Sequence, residues 1–291
     1  MLTVLLGLTG ALAYGAADYL GGVAAKKISP IVVTASVALV GLVFVAIASQ
    51  FVTGEWSREA WFWGLLSGVT GAVAIGLLYA CLAIGPMSIL SPLTAFLSAA
   101  VPVTWGLTTG EGLSTWLYPA LGLALIAVIL VGVVPDERAI RPSAKGLIMA
   151  VGSGFFIGLF FILIDQTPAD SGITPLVANR LAQSVVLILV ISGIVLWQLR
   201  KGLGRPTIFG KSGDLKAVIP VALGAGVLDA TANIAVIVGL RIGDITIVSV
   251  LTALYPAGTI LLAAILLRER VTRLQTLGLG LALAASVMLA S

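Results

Sequence analysis

Residues 84–95 read IGPMSILSPLTA, and residues 242–253 read IGDITIVSVLTA; laid over each other they are identical at seven of twelve positions. The same 158-residue offset, without a gap, puts 121–127, LGLALIA, over 279–285, LGLALAA, with six of seven identical. It also sets Glu111 on Glu269 and Gly68 on Gly226. Apolar low-complexity sequence matches itself by chance, but identities at Gly, Ser, Thr and Glu are harder to obtain that way. The chain is therefore read as two copies of one unit, residues 1–140 and 141–291.

What kind of unit follows from composition. The chain has 291 residues, 59% of them hydrophobic and only 10% charged, with a mean hydropathy of +1.17. A soluble domain carries roughly 25% charged residues. The apolar residues come in blocks of about twenty, the length that crosses a bilayer as a helix. Ten such helices are predicted, at about 3–23, 31–52, 60–83, 88–108, 115–134, 146–165, 174–198, 217–239, 245–267 and 273–290. The fold class is all-α integral membrane, with no room left for a soluble domain. The first span has no positively charged leading region and is too long for a signal peptide, so it is read as retained.

Thirteen of the sixteen Lys and Arg fall in the odd-numbered loops, among them Lys26, Lys27, Arg138, Arg141, Arg200, Lys201 and Arg268. Cytoplasmic loops hold such residues, which predicts both termini outside, in a plasma (inner) membrane. Scattered basic loops without interleaved aromatics give no reason to invoke nucleic acid. Five spans per copy is an odd number, so the second copy enters the membrane from the opposite side. That is an inverted repeat, the architecture in which a central site opens alternately to each side.

Several chemistries are excluded. The chain has no His, so His-ligated metal sites, Ser-His and Cys-His nucleophiles and HExxH proteases are absent. Its one cysteine, Cys81, lies in an apolar run and reads as an inert thiol. Residues 204–212, GRPTIFGKS, imitate a phosphate-binding loop, but five residues separate the glycines where four are needed, and no strand precedes them. The expectation is no enzyme, no cofactor, no metal and no ATP-driven pump. The partners expected are a small-molecule substrate, the lipid bilayer and protons, for a monomer or homodimer.

Polar side chains inside spans are costly and usually face a cavity, so each is a functional candidate. Asp229 lies mid-span, with Asn233 one turn on along the same face; in a chain without His it is the natural proton carrier, against a structural Asp satisfied by its neighbours. Asp18, with Tyr14 one turn earlier, reads either as a second proton or cation site or as an interfacial partner of Lys26 or Lys27. Arg180 could clamp a substrate carboxylate, neutralise Asp165 or Asp229, or snorkel to the surface. Thr94 and Thr252 are repeat equivalents accompanied by Pro92, Pro102 and Pro256, and they either line a path or satisfy their own helix backbone. Tyr79 and Tyr255 are candidate path residues, with the membrane-interface belt as the alternative. The spacings Gly64-x-x-x-Gly68 and Gly154-x-x-x-Gly158 read as helix packing.

The chain resembles the drug/metabolite transporter superfamily, specifically its ten-helix EamA-like members. The resemblance rests on Tyr14-Gly15 continued as Asp18-Tyr19-Leu20-Gly21-Gly22, on the turns Ile84-Gly85 and Ile242-Gly243, and on Gly110-Glu111 and Arg268-Glu269-Arg270 before each closing helix. Gly112 stands where a basic residue commonly follows the Glu. The resemblance implies transport of a small organic metabolite, such as an amino acid, and places the LGLAL helices at the periphery. Efflux by proton antiport through Asp229 and Asp18 is the leading expectation. Uptake or exchange without protons, and lipid flipping or scrambling, are the alternatives.

Overall fold

A computed structural model describes every residue except 53, 86, 113, 114, 116, 133–141, 203–206, 211, 259–271 and 291. The described elements are helical: α1 (Leu2–Ala25), α2 (Pro30–Ala48), α3 (Arg58–Ile84), α4 (Met87–Thr109), α5 (Leu117–Gly132), α6 (Ala144–Asp165), α7 (Thr174–Arg200), α8 (Ser212–Ile242), α9 (Ile245–Thr252) and α10 (Arg273–Ala290). Single 3-10 turns occur at Ala169–Ser171 and Thr207–Phe209. Seven helices, α1 to α4 and α6 to α8, are long and apolar enough to cross a membrane; the stretches 117–130, 245–258 and 273–289 are shorter apolar helical segments, the middle one interrupted by a turn. The predicted boundary between the two copies, the basic Arg138, Arg141, Arg205, Lys211, Arg268 and Arg270, and the Arg268-Glu269-Arg270 turn lie outside the described residues.

The helix starts follow local chemistry. Ser57 accepts a hydrogen bond from Ala60 N at 3.0 Å and opens α3, and Ser143 does the same for Gly146 N at 3.1 Å and opens α6. Both satisfy a backbone donor that the first helical turn leaves unpaired. Pro30 and Pro175 occupy the first turns of α2 and α7, where a missing N–H costs nothing.

One predicted span differs. The span predicted at 245–267 is interrupted within its described part, since α9 stops at Thr252 and a turn occupies Ala253–Leu254 before helix resumes at 255–258; residues 259–267 lie outside the described residues. Pro256 favours a break here: its ring conflicts with the carbonyl four residues back, that of Thr252, and it has no N–H to give. The backbone tightens accordingly, with Leu254 N donating to Leu251 O at 3.2 Å and Ala257 N to Leu254 O at 2.8 Å. Pro92 and Pro102, by contrast, lie within an unbroken α4.

The surface is apolar and the interior is partly polar, the reverse of a water-soluble fold. Phe62, Leu189 and Leu283 are each more than half exposed, while Asp18, Asn179, Arg180, Gln183, Asp229 and Asn233 are buried. Outward Leu, Ile, Val and Phe suit hydrocarbon; inward polar groups need a cavity or partners. The helices pack most extensively as α1 with α8, α3 with α6, α5 with α10, α4 with α6, and α3 with α7. Small residues make the close approaches. A Cβ added at Gly64 or Gly68 would run into the α7 backbone at Pro175 or Asn179, and one at Gly154 or Gly158 would strike Leu97 or Val101 of α4.

Candidate functional site

Asn179 and Arg180 are adjacent on α7 and therefore project in different directions. Asn179 Nδ2 donates to Ser67 Oγ on α3 at 2.9 Å, fastening the two helices. Arg180 reaches across to α8, where Nη2 bonds Asp229 Oδ2, and Nη1 donates to Gln183 Oε1 at 2.8 Å. The absence of a side chain at Gly41 of α2 makes room for the guanidinium: a Cβ there would stand 3.3 Å from Nε. One turn beyond Asp229, Asn233 Nδ2 donates back to the Asp229 carbonyl at 2.7 Å and lies 3.4 Å from its Oδ2. The Arg180 and Asp229 side chains are 3% and 4% exposed. Of the readings open to Arg180, its structure is that of a partner to Asp229, not a snorkelling residue. Asp165 stands at the end of α6 in the electrostatic field of Arg241 instead.

These groups border a central cavity of about 50 Å3. It is lined by Tyr14 and Asp18 of α1, Ser98 of α4, Asn179, Arg180 and Gln183 of α7, Asp229 and Asn233 of α8, and Thr252 and Tyr255 around the end of α9. Gly71, Ala74, Ile75 and Leu78 of α3 and Ile157, Phe160 and Phe161 of α6 complete it. Seven of the nine candidates, Tyr14, Asp18, Arg180, Asp229, Asn233, Thr252 and Tyr255, thus meet in one place. Asp18 is 7% exposed and faces this cavity, whereas Lys26 and Lys27 are exposed. No hydrogen bond holds its carboxylate among the described residues, and it is close enough to Asp229 for the two charges to repel.

Two candidates do not reach the cavity lining. Thr94 Oγ1 donates to Leu90 O at 2.9 Å in its own helix and to Ala150 O of α6 at 3.2 Å, so its hydroxyl joins α4 to α6. Its repeat equivalent Thr252 does line the cavity, and its Oγ1 has no hydrogen-bond partner among the described residues. Tyr79 is fully buried in the packing between α1 and α3, where its ring lies against Gly21; a Cβ at Gly21 would overlap it. Ser98 was missed in the sequence. It lies one helical turn after Thr94, and its hydroxyl bonds Ala95 O of its own helix, so the pattern alone does not separate it from other helical serines.

At the 158-residue offset Asp229 corresponds to Gly71 and Asn233 to Ile75, and all four residues line the cavity. To this cavity α8 thus presents polar groups and α3 apolar ones. A cavity of this volume holds a few waters and is far below the roughly 300–1,000 Å3 of metabolite pockets. A metabolite would have to widen it.

The sequence pattern of the EamA-like transporter family matches residues 144–291. No curated protein matches the chain. A solved crystal structure aligns with 99% of this chain and 98% of its own at a TM-score of 0.70 and 16% identity, a likeness of fold.

Proposed function

The chain belongs to the EamA-like transporter family, whose members are membrane transporters of small molecules, and we propose that it is a secondary active transporter of a small organic metabolite. It works as an exporter by alternating access, with the cavity between α1, α3, α6, α7 and α8 as the substrate site. The convergence of Asp18, Arg180 and Asp229 on that one cavity carries this reading. Charged groups buried within a membrane bundle are expensive, and a substrate or ion pathway is what usually accounts for them.

The moving parts are two inverted five-helix halves, residues 1–140 and 141–291, crossing the membrane ten times with both termini outside. Support comes from how the helices pair. Exchanging the first and sixth helices, and the third and eighth, turns the α1–α8 contact into the α6–α3 contact, and these are the two most extensive in the bundle. The α5–α10 pair exchanges with itself and stands apart from the cavity, bracing it. Rocking of one half against the other exposes the site to each side in turn.

Proton coupling falls to Asp18 in this scheme. Its carboxylate is free of hydrogen bonds among the described residues, whereas Asp229 is engaged by Arg180 and Asn233. Substrate and proton compete for the one open carboxylate. The test is substrate-driven pH change inside proteoliposomes, screened with pools of amino acids, amines and sugars. Flux present in the wild type and lost in Asp18→Asn supports the scheme. Substrate counterflow with no proton movement would retain the transporter and remove the proton, and silence in both assays would favour lipid translocation.

A further inference from the structure

We infer that the substrate is an organic monocation, an ammonium group on an apolar body, held head-first against Asp18. The inference rests on the transporter reading above and names the class of molecule that the cavity accepts. Charge comes first. The cavity brings together two carboxylates, Asp18 and Asp229, and one guanidinium, Arg180. Arg180 and Asp229 neutralise each other in direct contact, which leaves Asp18 as the cavity's one carboxyl group without a counter-charge, negative whenever its proton is off.

An anionic or zwitterionic substrate would need a cation for its carboxylate, and Arg180 is already committed. Its Nη1 bonds Gln183 and its Nη2 bonds Asp229, while its Nε, buried and without a hydrogen-bond partner among the described residues, lies toward Gly41 of α2. A substrate carboxylate there would share one guanidinium with Asp229, leaving two negative charges to one positive in a dry interior, where an uncompensated buried charge is strongly disfavoured. An ammonium group faces no such cost. Asp18 is 93% buried, borders the cavity and holds no hydrogen bond among the described residues. A cation there satisfies the carboxylate through charge-assisted hydrogen bonds. The aromatic rings of Tyr14 and Tyr255 border the same cavity, and such rings attract cations through their faces.

Shape gives the body of the molecule. Opposite the polar groups of α7 and α8, the first copy's Gly71 and Ile75 occupy the positions of Asp229 and Asn233, and Phe160 and Phe161 of α6 close the wall. That surface offers no charge and rewards an apolar or aromatic group with burial. Arg180 and Asp229 act here as positioning residues that fix α7 to α8, and Asp18 is the group that touches substrate.

Three probes share a phenyl body and differ in charge: phenethylammonium, L-phenylalanine and 3-phenylpropionate. Each is titrated calorimetrically into the purified full-length chain in detergent. Phenethylammonium is expected to bind at least about tenfold more tightly than either of the others. Asp18→Asn should abolish that preference and Asp18→Glu retain it, while Thr94→Val, outside the cavity lining, should leave it in place. Folding of each variant is checked by circular dichroism; should Asp18→Asn fail to fold, the wild-type ranking of the three probes and Asp18→Glu decide the matter. Equal or tighter binding of the zwitterion or anion, a preference that survives Asp18→Asn, or no binding by any of the three would overturn the assignment. The transporter reading is judged separately by substrate counterflow in proteoliposomes against protein-free vesicles, which registers transport whatever the substrate's charge.

Discussion

Replacing Arg180 by Gln takes one partner out of an ion pair whose two side chains are 3% and 4% exposed. Asp229 is then left with Asn233 Nδ2, 3.4 Å away, and Gln183 Oε1 loses the donor it had at 2.8 Å. Breaking a buried pair from one side costs about 3–5 kcal/mol, because the remaining charge stays in a low-dielectric interior. Asp229→Asn should cost about as much, since it strands the guanidinium by the same mechanism. Changing both leaves neutral amides that can bond each other, and the loss falls to about 1–2 kcal/mol. The double variant is thus expected to be more stable than either single one, with a coupling of at least about 3 kcal/mol, within the range measured for close charge pairs. Reversible unfolding in mixed micelles, followed by far-ultraviolet circular dichroism, measures all four proteins. If the single losses add to within about 0.5 kcal/mol, the two residues are not a buried pair and the reasoning is wrong.

Three other substitutions test separate parts of the structure. Glu111 accepts from Ile245 N at 2.8 Å and from Thr246 N and its hydroxyl, so a residue from the α4–α5 turn caps α9; Glu111→Ala should cost about 1–3 kcal/mol from the lost cap and helix-end charge, with faster amide exchange confined to the start of α9. Gly68→Ala places a methyl group against the Asn179 carbonyl and should destabilise by about 1–3 kcal/mol, whereas Gly76→Ala meets nothing within 4 Å and should be neutral or stabilising by up to about 1 kcal/mol, both read by thermal unfolding. Thr94→Val should lower stability by about 0.5–1.5 kcal/mol and leave transport intact, while Thr252→Val, whose hydroxyl has no partner among the described residues, should alter substrate affinity and leave stability intact. A Thr94 variant that changed affinity and not stability would reverse the assignment of these two.

Much of this was legible in the chain because membranes simplify the code. Twenty-residue apolar blocks fix helices by length, and Ser57, Ser143, Pro30 and Pro175 mark helix starts by chemistry that acts over a few residues. Asp229 and Asn233 were legible as a pair because four residues make one turn. What sequence could not supply was distance between helices. Arg180 meets Asp229 beside Gly41 of a third helix, whose missing side chain eases the fit, and that Thr94 faces α6 while Thr252 faces the cavity depends on how α4 and α9 are rotated in the bundle. Tyr79 shows the same limit: nothing in its own span reveals that Gly21 of α1 leaves a slot for its ring. The break in the ninth span was signalled by Pro256, but Pro92 and Pro102 carry the same signal and do not break α4, so proline alone does not decide.

Alternating access at the central cavity is tested most directly by reaching one of its residues from either side. Ser98, buried and on the cavity wall, is changed to Cys in a Cys81→Ala background that removes the natural thiol, and a membrane-impermeant thiol reagent is applied to one face of oriented vesicles at a time. The expected result is modification from both faces, with substrate or a proton gradient raising reactivity from one side as it lowers it from the other. Modification from one face alone, unchanged by substrate and gradient, would contradict a site that opens to each side in turn.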